Sequence, residues 1–164
     1  MHIEKLIEFL SNPEVAHVLS AVQELAGLGE ESQPAAIALI DACHSQDFEV
    51  RNWSVAALEQ LGPPPTEAVH SLISRINDQE ELADYWAITL LGRLGPSATA
   101  AAERLGQALE NSPYPSVCQR AAWALRELGP SAKPAQASLR KAAANSEPHL
   151  ARLAQQALEQ IEEG

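Results

Sequence analysis

The residues able to hold a metal or act on a substrate are five histidines, His2, His17, His44, His70 and His149, and two cysteines, Cys43 and Cys118. Cys43-His44 is the one adjacent pair of soft ligands. A tetrahedral site needs about four ligands, and no second cysteine or histidine falls in register with this pair on a neighbouring helix. The histidines therefore read as surface or partly buried side chains, and no metal or other cofactor is expected. There is no Gly-rich phosphate loop after a strand and no nucleophile motif. The acids are spread over helix surfaces rather than gathered into a pair for acid–base work. No catalytic residue is expected.

The elements that must carry these side chains are set by a repeat. Leu91, Leu94, Gly95, Pro96, Ser97 and Ala98 recur 34 positions on as Leu125, Leu128, Gly129, Pro130, Ser131 and Ala132. Going back 33 positions gives Leu58, Leu61, Gly62 and Pro63, and another 33 gives Leu25, Leu28 and Gly29. A fixed period of this length marks a stacked-repeat protein. Before each glycine runs one helix, with a small residue eight positions ahead of it: Ala21, Ser54, Ala87 and Ala121, continued by Ala154. The glycine is expected to end that helix in a left-handed residue, and the following proline cannot continue it. After each glycine runs a second helix with the i, i+3, i+4, i+7 apolar face of Ile3, Leu6, Ile7 and Leu10. Its leucine forms an unbroken column: Leu6, Leu39, Leu72, Leu105 and Leu139.

These signals predict ten helices, at about 1–10, 13–28, 34–44, 48–61, 66–77, 81–94, 98–110, 115–128, 132–144 and 148–162. The fold class is all-α, a two-layer right-handed solenoid of about 40–50 Å, taking about 10 Å per repeat. Residues 1–164 read as one repeat domain: a lone second helix at 1–12, repeats at about 13–45, 46–78, 79–111 and 112–145, and a polar capping helix at 146–164. The array is expected to be capped at both ends. The cysteines should lie several helix layers apart, beyond the ~7 Å Cα separation a disulfide spans, as small, buried, reduced core residues.

Charge narrows the partners. The formal net charge is −11. Residues 1–82 hold fourteen acids against three bases, whereas residues 83–164 hold eight of each. Nucleic acid requires clustered cations to neutralise phosphates, so it is not expected as a partner. No apolar run reaches the ~18 residues of a membrane span, and the acidic start does not resemble a signal peptide. A cytoplasmic monomer is the expectation.

The segments Glu49-Val50-Arg51, Ala56-Ala57-Leu58 and Leu61-Gly62-Pro63 resemble the HEAT-like repeat, in the short form described in phycobilin lyases. Val117, Ala121-Ala122-Trp123-Ala124-Leu125 and Leu128-Gly129-Pro130 resemble it again. The resemblance covers nearly the whole chain and implies an armadillo-like scaffold whose second helices line a concave binding surface. HEAT-like hydroxylases bind iron through His-Glu dipeptides, which this sequence lacks, and HEAT-like glycosylases need a basic concave face. The reading is therefore a non-enzymatic module that binds another protein. The alternatives are a phycobilin-lyase-like subunit or chromophore chaperone, and an assembly subunit of a larger complex.

Two sets of residues are candidates for that binding. On the second helices, Glu8, Asp41, Ser74, Gln107 and Lys141 share one register position and run from acidic through neutral to basic. With Glu4, His44 and His70 beside the acidic members, they form a ladder that would set a basic segment of a partner at the N-terminal end. On the first helices, Tyr85 and Trp123 occupy columns of otherwise polar or small residues and are expected to be exposed neighbours on the convex side, as aromatic anchors. Trp53 and Trp86, both nine positions before their glycine, are expected in the core.

Overall fold

The computed structural model describes residues 2–163, and Met1 and Gly164, the outermost positions of the expected array, lie outside the described residues. It divides into two compact units, Met1–Ala68 and Val69–Gly164. The division falls inside the expected repeat 46–78.

The first unit contains α1 (His2–Phe9), α2 (Val15–Leu28), α3 (Ala36–Ala42) and α4 (Phe48–Gln60). A 3-10 segment, Gly29–Ala35, joins α2 to α3, and a single 3-10 turn, Thr66–Ala68, follows α4. Helix α2 packs chiefly on α4, with α1 and the 3-10 segment also against it. Asp47 caps the start of α4, its carboxylate accepting from Val50 N at 2.9 Å, which satisfies one of the helix's orphan donors.

The second unit contains α5 (Val69–Arg75), α6 (Glu81–Leu94), α7 (Ala102–Asn111), α8 (Pro115–Leu128), α9 (Gln136–Ala143) and α10 (Pro148–Glu163). Helices α6, α8 and α10 pack in succession as one layer, and α7 packs on α9 in a second. Gly95–Ala101 and Gly129–Ala135 are 3-10 segments linking the layers. The connections expected at 29–33, 95–97 and 129–131 are thus 3-10 segments of seven residues. Counted together with the 3-10 segments that follow or precede them without a gap, the helices of the described residues form seven helical stretches, fewer than ten. No strand occurs among the described residues.

The glycines explain why no loop intervenes. Gly29, Gly95 and Gly129 have φ of 58°, 58° and 62° with ψ of −128°, −134° and −136°. Positive φ was expected, but this ψ lies outside the left-handed helical well, in a region open essentially to glycine. The backbone reverses there and re-enters helical turns at once.

The core follows the two columns. Leu39, Leu72, Leu105 and Leu139 are fully buried, and Leu6 nearly so. The small-residue column Ala21, Ser54, Ala87, Ala121 and Ala154 is buried throughout, which lets successive helices approach closely. Ser54 keeps its hydroxyl satisfied by donating to Val50 O at 2.7 Å. Trp86 is in the core as expected, but Trp53 is 39% exposed. The shared register of the two tryptophans therefore does not give them the same environment, because burial depends on the side chains around a position and not on its place in the repeat alone.

Candidate functional site

The ladder residues sit where the second helices place them. Glu4 and Glu8 lie on α1 and Asp41 on α3 in the first unit, with His44 just beyond α3; His70 and Ser74 lie on α5, Gln107 on α7 and Lys141 on α9 in the second. All eight are exposed. Asp41 and His44 also line a cleft of about 330 Å3 with Leu10, Val15 and Val18. Among the described residues, no three His, Cys, Asp or Glu side chains converge as a metal site. Cys43 and Cys118 are free thiols. Burial pushes the Cys43 thiol up to about 12, so it carries no thiolate near neutral pH and is a poor nucleophile.

Tyr85 and Trp123 are brought together, and the group that joins them is Arg120. Helix α6 supplies Tyr85, and α8 supplies Arg120 and Trp123 one turn apart. The Arg120 guanidinium carbon lies 3.8 Å from the Trp123 ring centroid and 5.1 Å from that of Tyr85. Arg120 Nε donates to Thr89 Oγ1 at 2.8 Å, and Thr89 in turn donates to Tyr85 O at 2.7 Å. Thr89 is fully buried, so the guanidinium is fixed from below. Partial burial lowers the Arg120 pKa, while Tyr85 and Glu127 act to raise it. The group remains charged, because even a lowered guanidinium titrates far above neutrality.

Trp123 packs on α6 rather than standing free. It fits because α6 has glycine beneath it: a Cβ on Gly92 would come within 2.3 Å of Trp123 Cζ3. Tyr85 and Trp123 are each half-buried. Together with Ser116, Gln119, Arg126, His149 and Leu153 they line an open cleft of about 460 Å3 across α6, α8 and α10. At its rim Arg126 donates to Gln156 Oε1 at 2.8 Å and pairs with Glu127 at 3.2 Å. Gln119 donates to Glu147 at 3.2 Å. The Glu147 carboxylate also accepts from His149 N and Leu150 N, and these bonds hold its pKa below the usual carboxylate value. A second recess, about 290 Å3, is lined by Glu81, Leu82, Tyr85 and Ser116.

Sequence reasoning missed Arg120 and Gly92, although both carried a signal. Arg120 stands nine positions before its glycine, the column that holds Trp53 and Trp86. Gly92 stands three before its own, where the other units have Ala26, Glu59 and Arg126. A cation in a tryptophan column and a gap in a side-chain column are the two halves of one stacked arrangement.

The helical pairs, the glycine turns and the leucine column are those of a known repeat, and the family described as HEAT repeats matches residues 69–159. The chain belongs to the HEAT repeat family. No curated protein matches the sequence. Among solved structures this HEAT-repeat chain is similar to a designed armadillo repeat protein in complex with a (KR)4 peptide, at 17% identity and a TM-score of 0.67 over 95% of this chain and 80% of that one. It is similar to the complex of CpcE and CpcF of phycocyanin lyase from Nostoc sp. PCC7120, at 20% identity and a TM-score of 0.65 over 99% of this chain and 65% of that one. It is also similar to an engineered protein, at 21% identity and a TM-score of 0.67, and spans 48% of that protein's length. At these identities the likeness is one of fold: an all-α, armadillo-like solenoid of HEAT repeats. No helix among the described residues is long and apolar enough to cross a membrane.

Proposed function

We propose that this chain is a non-enzymatic HEAT-repeat module that binds another protein. The observation that carries the reading is the stack of Tyr85, Arg120 and Trp123 in an open cleft between successive helices. Tyrosine, tryptophan and arginine are the residue types that dominate interface hot spots, and here all three are held in place before any partner arrives. Pre-ordering of this kind reduces the entropy lost on binding.

The exposed acids of the first unit supply a further contact. Glu4, Glu8 and Asp41 would pair with a basic segment of the partner, as the peptide bound by the designed armadillo protein is basic. Each exposed pair is worth only ~0.2–1 kcal/mol, so these residues would govern association rate and orientation more than affinity. The reading is tested by affinity capture from the native cell with mass spectrometry, followed by binding kinetics of the captured partner. Glu8→Lys with Asp41→Lys should slow association and reduce its salt dependence. An unchanged rate at low salt removes the acids from the interface, and capture of no protein removes the reading itself. A phycobilin-lyase-like subunit would instead shift the absorbance of an added tetrapyrrole.

A further inference from the structure

We propose that the Tyr85–Arg120–Trp123 cleft reads a carboxylate: it takes an Asp or Glu side chain from an acidic segment of the partner protein, paired with the outer edge of the Arg120 guanidinium. This rests on the reading of the chain as a protein-binding module and assigns the partner's chemistry at this cleft.

Arg120 has five N–H donors in a planar fork, and its one described hydrogen bond uses Nε. Among the described residues it makes no ion pair, unlike Arg126 and Arg104 in the same unit. Both rings lie against the guanidinium, and no described hydrogen bond uses Nη1 or Nη2, the edge that can meet a carboxylate with two parallel bonds. Partial burial already disfavours the bare cation there, so an anion entering the cleft meets a charge that water solvates poorly. The acids nearest the cleft each have a partner: Glu81 in the adjoining recess accepts from Ser116 at 2.6 Å, Glu127 pairs with Arg126, and Glu147 accepts from Gln119. Residues 83–164 are balanced in charge, and screening limits charges farther away than these to about 8 Å at physiological salt. The adjoining recess beside Leu82 shares the Tyr85–Ser116 wall with the cleft. A chain crossing that wall places its acidic residue against Arg120 and an apolar neighbour against Leu82.

The test uses the full chain and three short fluorescein-labelled peptides of alternating leucine with Glu, Gln or Lys, read by anisotropy and by the NMR resonance of Arg120 Nε–H. The Glu peptide should bind and shift that resonance. The Gln peptide should bind about ten- to a hundredfold more weakly, the span that hydrogen bonds to charged groups carry. Arg120→Gln should lose the same factor, and Arg120→Lys part of it. The Glu-to-Gln comparison leaves the protein intact, so it decides the matter even where Arg120→Gln disturbs the ring stack. Equal binding of the Glu and Gln peptides, no binding of the Glu peptide, or its displacement by a single-stranded oligonucleotide at equal concentration overturns the assignment. If the Lys peptide alone binds, and binds Arg120→Gln equally well, the carboxylate site is refuted while the protein-binding reading stands.

Discussion

Trp123 occupies the space that a side chain on Gly92 would need: a Cβ there would sit 2.3 Å from Cζ3 and 2.9 Å from Cη2 of the indole. The contact joins α8 to α6 and holds the ring under the Arg120 guanidinium. Two opposing effects bear on Gly92→Ala. Alanine favours a helix interior by about 1 kcal/mol over glycine, whereas forced overlap in a packed site costs about 1–3 kcal/mol.

The overlap should win in the native background. Gly92→Ala is expected to lower the unfolding free energy and to shift tryptophan emission to the red as the indole moves toward water. In a Trp123→Ala background the clash is gone, and the same substitution should stabilise by up to about 1 kcal/mol. Thermal or urea unfolding of the four proteins checks this. The same sign in both backgrounds would mean that the two residues are not in contact.

Leu105 and Leu6 occupy the same column in different surroundings. Leu105 is fully buried on α7, which packs against α8, α9 and the 3-10 segments on either side. Leu6 is on α1, which packs mainly against α2 and the segment 29–35. Leu105→Ala should cost about 2–5 kcal/mol, and Leu6→Ala less. Equal losses in denaturant titrations would show that membership of the column, rather than packing on several sides, sets the cost.

Asp84 supplies a pH dependence of known sign. It is fully buried on α6, where its carboxylate accepts from Asn77 N at 3.1 Å and Asp78 N at 2.8 Å. Burial raises its pKa above the ordinary 3.8, the two backbone bonds and Arg104 opposing and Asp78 assisting. The folded state therefore holds this proton more tightly than the unfolded state. The stability linked to it is present below the unfolded pKa and is lost as pH rises through the folded pKa. Melting temperatures of the native protein and Asp84→Asn, measured from pH 3.8 upward, should show the native protein losing ground to the variant. The amide's altered bonding is a constant offset and leaves that trend unchanged. A difference that is flat, or that grows in favour of the native protein, contradicts the raised pKa.

The column before the glycines shows how far a repeat constrains chemistry. Eleven positions ahead of Gly62, Gly95 and Gly129 stand Arg51, Asp84 and Cys118. Arg51 donates to Ser45 O at 2.7 Å, Asp84 accepts from Asn77 and Asp78, and the Cys118 thiol lies 3.4 Å from Ser112 O. A cation, an anion and a thiol do the same work, tying each helix to the loop that precedes it.

The sequence by itself determined the family, the repeat length, the positive-φ glycines and the leucine and alanine columns. Those features are periodic because each unit meets its neighbours through the same face, and a period can be counted without coordinates. It also marked Tyr85 and Trp123 as departures from their columns. Only the tertiary structure decided what the departures do. That Arg120 lies against both rings and that Gly92 opens the space beneath Trp123 depend on contacts between residues about 30 positions apart. Such contacts occur once in the chain, so they leave no period to read; they follow from the distance and angle at which packed helices meet.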